Sequence, residues 1–232
     1  MKKLYLIPVT LGECDLKKVI PGYNFSILEK VKTIMVENEK SARKFLKRSG
    51  IENIPDKEFI LFNEHSDIAK IARQIEEAYK HGDVAVLSEA GCPGVADPGA
   101  DIVKMAHQNG VEVIPLVGPS SILLALMASG FNGQNFVFHG YLPIDKKART
   151  RKIKEIERNA YRFDQSQIFI ETPYRNDKLF EELLRVCSNS TWLSIACNLT
   201  LDDQRIHSKS ILEWNRSKPD LRKKPAVFII YK

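Results

Sequence analysis

Two rhythms of apolar and polar positions alternate over the first half of the chain. Short apolar runs read as buried strands: Leu4 to Val9, closed by Pro8 and Gly12; Thr33 to Val36; Glu58 to Phe62; Asp83 to Leu87; and Val111 to Leu116. Between them the spacing turns helical. Ser41 to Ser49 sets Ala42, Phe45 and Leu46 on one face and stops at Gly50. Asp67 to His81 is the clearest helix, with Ile68, Ile71, Ala72, Ile75, Ala78 and Tyr79 on one face and Gly82 behind it. A helix over 100–109 ends at Gly110. In residues 15–32, Pro21-Gly22 breaks any helix and leaves room for a short one over Ser26 to Val31. Strands alternating with helices across short connections predict a parallel α/β sheet. Its strand ends would gather Pro8 to Gly12, Glu37-Asn38, the loop after Leu87 and Val117-Gly118-Pro119 along one edge.

The rhythm then changes. Val117-Gly-Pro-Ser-Ser121 opens a helix over Ile122 to Ser129, with Ser120 or Ser121 placed to cap it. Phe136 to Phe138 begins a strand, and Tyr141-Leu-Pro143 leads into a basic helix. Gln167 to Ile170 is a strand running into Glu171-Thr-Pro-Tyr-Arg175, and Lys178 to Val186 is a helix. Leu193 to Ala196, Ile206 to Leu212 and Ala226 to Tyr231 are three further strands with no long helix between them, which predicts an antiparallel meander. The expected architecture is two α/β domains, residues 1–116 with a parallel sheet and 117–232 with a mixed sheet. No internal repeat or low-complexity segment is visible.

Composition adds a charge asymmetry. The net charge is +6, yet residues 141–232 hold 19 Lys/Arg against 12 Asp/Glu, while 1–140 hold 16 against 17. A basic second half points to a polyanionic partner. No apolar run approaches the roughly 20 residues of a bilayer span. Leu4 to Pro8 is too short for a signal-peptide core, so the expectation is a cytoplasmic protein. The cysteines (14, 92, 187, 197) form no CxxC pair, and the histidines (65, 81, 107, 139, 207) form no HExxH, which leaves metal chemistry with little support. GxGxxG after the first strand, the phosphate-loop pattern and the GxSxG elbow are all missing.

The candidate chemistry lies in Leu87-Ser-Glu-Ala-Gly-Cys-Pro-Gly-Val-Ala-Asp-Pro-Gly99, with three glycines and two prolines in thirteen residues at the carboxyl end of a strand. Open α/β sheets place ligands at such turns. A second motif, Lys146-Lys-Ala-Arg-Thr-Arg-Lys-Ile-Lys154, is six-ninths basic. On a helix, Lys147, Arg151 and Lys154 share a face that could meet successive phosphates.

Five segments in order carry a family resemblance. Glu37 to Leu46, followed by Ser49-Gly-Ile51, resembles the AEDTR segment of the ribosomal RNA small-subunit methyltransferase I family, within the class III tetrapyrrole-methylase superfamily. Ser88 to Gly99 resembles its SDAGTPxxSDPG, Pro115 to Ser121 its PxPGPSA, Gly140-Tyr-Leu-Pro143 with the basic run its GFLPxKxxxR, and Glu171 to Arg175 its ESPHR. The resemblance implies two α/β domains with the active cleft between them, S-adenosylmethionine as cofactor, a homodimer, and methyl transfer to a cytidine ribose 2′-hydroxyl of ribosomal RNA. It implies cofactor contacts at Pro8, Ser88, Gly91, Cys92, Pro93, Val95, Ala96, Asp97, Ser120, Ser121, Ala196 and Leu199. Glu37 and Glu89, at strand ends, are the candidate proton acceptors, and Lys147, Arg149 and Arg151 the candidate RNA contacts.

Several positions depart from the pattern. RELTK reads Cys197-Asn-Leu-Thr-Leu201, the AEDTR aspartate is Asn38, the DAG aspartate is Glu89, GNL reads Gly12-Glu-Cys14 and KGE reads Lys223-Lys224-Pro225. Two alternatives therefore stay open: a divergent paralogue that methylates a small molecule such as a tetrapyrrole, and a cofactor-binding protein without catalysis.

Overall fold

The computed structural model describes residues 2–63 and 66–232, with backbone alone for Ile68. His65 and the side chain of Ile68 lie outside the described residues. The chain divides into two compact units, Met1–Ser120 and Ser121–Lys232.

In the first unit the order is β1 (Lys3–Ile7), α1 (Gly22–Lys30), β2 (Thr33–Val36), α2 (Glu39–Arg48), β3 (Glu58–Leu61), α3 (Ile68–His81), β4 (Val84–Leu87), α4 (Gly99–Gln108) and β5 (Glu112–Pro115). The sheet order is β3-β2-β4-β1-β5, and every pairing is parallel. β2 and β4 are buried at all four positions, as strands covered on both faces must be. Side chains alternate between two cores. Ile7, Ile34, Val36, Ala85 and Leu87 meet Leu28 of α1 and Phe45 and Leu46 of α2, while Leu4, Met35, Val84 and Val86 meet Ile71, Ile75 and Tyr79 of α3 and Ile102 of α4. Each large side chain buried this way stabilises the fold by about 1.5–3 kcal/mol.

α1 corrects the sequence reading, because it starts at Gly22 rather than near Ser26. Pro21 (φ −60°) precedes the first turn, where a missing amide costs nothing. Buried Asn24 then donates from Nδ2 to the Val117 carbonyl at 3.0 Å and ties α1 to the loop after β5.

The second unit runs α5 (Ser121–Ser129), β6 (Phe136–Tyr141), α6 (Lys146–Phe163), β7 (Ser166–Glu171), α7 (Asn176–Val186), β8 (Trp192–Cys197), β9 (Arg205–Ser210), α8 (Ile211–Trp214) and β10 (Ala226–Tyr231). The sheet order is β6-β7-β10-β8-β9, with β6 and β7 parallel and the rest antiparallel. The expected meander is therefore wrong: β10 inserts between β7 and β8 and does not follow β9. Burial explains the choice. Ala226 to Ile230 are all buried apolar residues and need neighbours on both sides, whereas polar Arg-Ile-His-Ser-Lys-Ser tolerates the edge. The expected strand through Leu212 also stops early. Ser210 and Glu213 form a capping box that opens α8.

α6, α7 and α8 share one core with Phe169, Ile195, Cys197 and Phe228, on one face of this sheet. On the other face Ser208 Oγ donates to the Ser129 carbonyl of α5 at 2.7 Å. No helix among the described residues is long and apolar enough to cross a membrane.

Candidate functional site

Parallel pairing puts the carboxyl ends of β1, β2, β4 and β5 on one edge of the first sheet. The loop after β4 is clamped there. Val9 and Gly91 exchange backbone hydrogen bonds of 3.0 and 3.3 Å, and buried Ser88 donates from Oγ to the Gly91 carbonyl at 2.8 Å. Cys92 Sγ donates to the Pro119 carbonyl at 3.5 Å, which fastens the loop to the segment after β5. Gly91 has φ +76°, a conformation that disfavours any side chain. Gly118 lies flat against Pro8. The edge thus brings together Pro8, Ser88, Gly91, Cys92 and, through Pro119, the start of the Gly-Pro-Ser-Ser turn.

Asp97 shapes the far half of the loop. Its Oδ1 accepts from the amides of Gly94 at 2.6 Å and Gly99 at 2.8 Å, so one carboxylate oxygen closes the turn into α4. Its Oδ2 has no protein partner among the described residues. Burial lifts the Asp97 pKa, and the two amides only partly offset that rise. Val95 and Ala96 are exposed at the loop's crest, Pro93 is buried beneath it, and Ala96 is held at φ +59°. Backbone in this left-handed region is strained for a residue with a Cβ, and such strain concentrates at ligand sites. The Cys92 thiol is pushed up by burial and by the Asp97 charge, so it is a packing group and not a thiolate nucleophile.

Glu37, at the end of β2, is half-buried beside this loop. Burial raises its pKa most, and the Asp97 charge adds to the rise. The Glu89 amide hydrogen-bonds to its carboxylate and opposes the shift, while the Glu89 charge raises it again. Glu89 is exposed and accepts at Oε1 from Ser41 Oγ at 2.7 Å. The two candidate carboxylates are therefore neighbours, and Asp97 makes a third. Glu37 and Asp97 both combine partial burial with a raised pKa, and of the two strand-end candidates Glu37 is the one that does so. Three carboxylates at a loop rich in main-chain donors suit a cationic ligand that also offers hydrogen-bond donors of its own.

Sequence reasoning missed the wall of this edge. Thr10, Leu11, Gly12 and Glu13 after β1 face Ser41, Lys44, Phe45 and Arg48 of α2 across a groove floored by Leu87 and Ser88. The signal was present, since 41, 44, 45 and 48 follow helical spacing on a helix read only for its apolar side. The Asn38 departure is locally benign. Its Oδ1 caps α2 by accepting from the Lys40 and Ser41 amides at 2.9 and 3.2 Å, a task aspartate performs equally well.

In the second unit, Ser121 is the first residue of α5. Ala196 and Leu199 are buried at the end of β8 and in the turn beyond it. That turn is strained, with Asn198 at φ +48° and Thr200 at φ +71°, and the buried Thr200 Oγ1 has no hydrogen-bond partner among the described residues. Such an orphaned hydroxyl at a strained turn is a feature the sequence did not single out. Lys147 and Arg151 are exposed on α6, as a phosphate-binding face requires. Arg149 is not. Its guanidinium bonds the buried Glu182 at 2.6 and 2.7 Å and the Ile144 carbonyl at 3.0 Å, so it is spent on packing α6 against α7. The exposed cation that completes the α6 face is Lys154.

Comparison with known proteins identifies the family. The family model for tetrapyrrole (corrin/porphyrin) methylases matches residues 19–213. The chain is 29% identical over 231 residues to a Vibrio cholerae protein named ribosomal RNA small subunit methyltransferase I, covering 98% of this chain and 76% of that one. It is 26% identical to the protein of the same name from Escherichia coli O157:H7, over 98% of this chain and 77% of the relative. Among solved structures it is similar in fold to the methyltransferase CobJ, with TM-score 0.66 at 17% identity over 100% of this chain and 95% of that one. It is also similar to the uroporphyrin III C-methyl transferase of Thermus thermophilus, with TM-score 0.60 at 17% identity over 99% and 97%. The chain belongs to the tetrapyrrole (corrin/porphyrin) methylases and is an S-adenosylmethionine-dependent methyltransferase.

Proposed function

We propose that this methyltransferase acts on RNA of the small ribosomal subunit, at a ribose 2′-hydroxyl, with S-adenosylmethionine held by the loop after β4. The observation that carries the reading is Glu37, a half-buried carboxyl of raised pKa beside the Asp97 loop. The names of the curated relatives and the basic second half of the chain support RNA as acceptor.

The residues fit the cofactor. S-adenosylmethionine carries a sulfonium and an ammonium, and the three carboxylates Glu37, Glu89 and Asp97 favour such a cation. Asp97 Oδ2 is positioned to accept from a ligand hydroxyl or ammonium. Gly91, Pro93 and the Pro8–Gly118 contact allow close approach to main chain, and Ser88, Cys92, Val95, Ala96 and Ser120 complete that wall. The family resemblance adds Ser121, Ala196 and Leu199 as expected cofactor contacts. Bound S-adenosylmethionine supplies an electrophilic methyl group. The chain's own work is to align the acceptor and keep water out. Glu37 accepts the proton of the 2′-hydroxyl as the new C–O bond forms, a task its raised pKa favours. Lys147 and Arg151, with Lys154, hold backbone phosphates.

Labelled S-adenosylmethionine is incubated with small ribosomal subunits from a strain lacking the corresponding methylase. Label should enter RNA at an alkali-resistant linkage, the mark of a methylated ribose. Cofactor binding by calorimetry without any transfer to RNA would sink the reading.

A further inference from the structure

The second unit carries another basic surface, away from α6 in sequence. Arg205, His207 and Lys209 alternate along β9 and so share one face of the edge strand. Their cross-strand partners are Cys197, Ile195 and Leu193, so this is the face that bears the helices. Trp214 of α8 and the segment Ser217 to Asp220, with Lys224, fold over it and leave a recess floored by Ile195 and Cys197. Arg205, His207, Lys209, Lys218 and Lys224 line the recess against a single carboxylate, Asp220.

That carboxylate is already neutralised. Asp220 bonds Arg222 at 3.1 Å and Lys224 at 3.2 Å, and these contacts, Arg222 first, hold its pKa down to about 2. Arg205 and Lys209 form no salt bridge among the described residues, although the Lys209 charge acts on Glu213. Arg205 donates from Nη1 to its neighbour's carbonyl at 3.0 Å, and Lys209 Nζ sits 4.8 Å over the Trp214 ring. Charges on an edge strand often serve only to block pairing with another chain. That purpose explains β9 but not the convergence of Lys218 and Lys224 on the same recess from a separate loop, where Lys224 pairs with Asp220 and Lys218 stands 3.8 Å from Glu181.

The geometry points to this recess as an anchoring site for the phosphate backbone of an RNA strand, distinct in residues from the α6 face. The inference rests on the RNA acceptor of the proposed function and names a second contact with it. Every second residue of a strand advances about 6.8 Å, a stride that suits successive phosphates of an extended strand. The apolar floor gives a ribose or base edge a dry surface beside the cations. Both basic surfaces belong to the helical side of one sheet, so an RNA crossing that side meets α6 and β9 in turn. Contacts of this kind fix register and add affinity without reading sequence.

The test measures binding of in vitro transcribed small-subunit ribosomal RNA by fluorescence anisotropy across about 50–200 mM salt. It compares the unaltered chain, Arg205→Ala/Lys209→Ala, Lys218→Gln, and a charge-loss control, Lys70→Ala/Lys104→Ala, whose side chains are exposed in the first unit. Thermal unfolding confirms folded variants, and Lys218→Gln, on an exposed side chain, serves if the double variant does not fold. Each lost phosphate contact lowers the slope of log K against log salt by roughly 0.7–0.9, so the double variant should lose about 1.4–1.8 and Lys218→Gln about half of that. The control should match the unaltered chain. An unchanged slope in the β9 variants, or an equal loss in the control, overturns the site while leaving the RNA reading intact. If the unaltered chain does not bind this RNA, both fall together.

Discussion

A Cβ built on Gly118 would stand 2.3 Å from the Cβ of Pro8, closer than any real pair of side-chain carbons. Two strand-end loops are therefore packed backbone to ring at the edge that carries the candidate site. Gly118→Ala should destabilise the protein by about 1–3 kcal/mol through overpacking. It should also weaken S-adenosylmethionine binding, because the Pro119 carbonyl that receives Cys92 Sγ is the next residue. Urea unfolding and calorimetry read the two effects, and a variant as stable as the parent would show that the loops part easily.

Glu37→Gln removes the proposed proton acceptor while keeping its shape. The expected result is a fall in kcat of about 10²–10⁴-fold, larger than the loss of cofactor affinity from removing one of the three carboxylates. The ionised form is the active one, and its pKa is raised by burial and then by Asp97. Activity should therefore fall, as pH is lowered, at a pH above the ordinary 4.5 of a glutamate. A pH–rate profile whose acid limb is the same in Glu37→Gln assigns that limb to another group.

Arg149 and Glu182 make the opposite prediction to the exposed cations of α6. Arg149→Ala leaves the buried Glu182 with only Thr150 and the more distant Arg185 at 3.8 Å, and should cost up to about 3–5 kcal/mol. Lys147→Ala and Arg151→Ala should each stay within about 0.5 kcal/mol of the parent and weaken RNA binding instead. Burial pushes the Glu182 carboxyl up, but hydrogen bonds from Thr150 and Arg149 outweigh it, and the net shift is downward. The pair's stabilisation is thus fully present above the unfolded glutamate pKa and is lost as pH falls through the lowered folded value. Chemical denaturation at neutral and acid pH checks both statements.

Ala96 at φ +59° offers a gain. Glycine there relieves roughly 1–2 kcal/mol of left-handed strain and gives back part of it, about 0.5–1 kcal/mol, as unfolded-state entropy. Ala96→Gly should therefore raise the thermal midpoint slightly. A lowered midpoint would mean that the Ala96 methyl makes packing contacts worth more than the strain.

The parallel first sheet was legible because its strands are unbroken apolar runs divided by amphipathic helices, and Ile71, Ile75 and Tyr79 mark their helix plainly. β10 misled because apolar content alone does not say which strand it will lie beside. Its burial on both faces excludes the edge, and that argument works only once the polar edge strand, β9, is identified. The glycine loop was readable from composition. The coupling of Glu37 to Asp97 was not, since the two are brought together by a sheet whose strand order differs from sequence order. Arg149 looked like its neighbours Lys147 and Arg151 because sequence shows the charge and not which turn of the helix faces Glu182.

β10 also sets the order in which the second unit can assemble. Residues 226–231 lie between β7 and β8, so β6–β7 and β8–β9 remain separate two-stranded ribbons until that stretch has been synthesised. Isolated ribbons of this kind are at best marginally stable in water. The first sheet is complete by Pro115 and can form while the remainder is still being made. Folding on the ribosome is thus staggered, and the interval before Ala226 to Tyr231 emerge is when the apolar faces of β7 and β8 are exposed to chaperones and to misassociation.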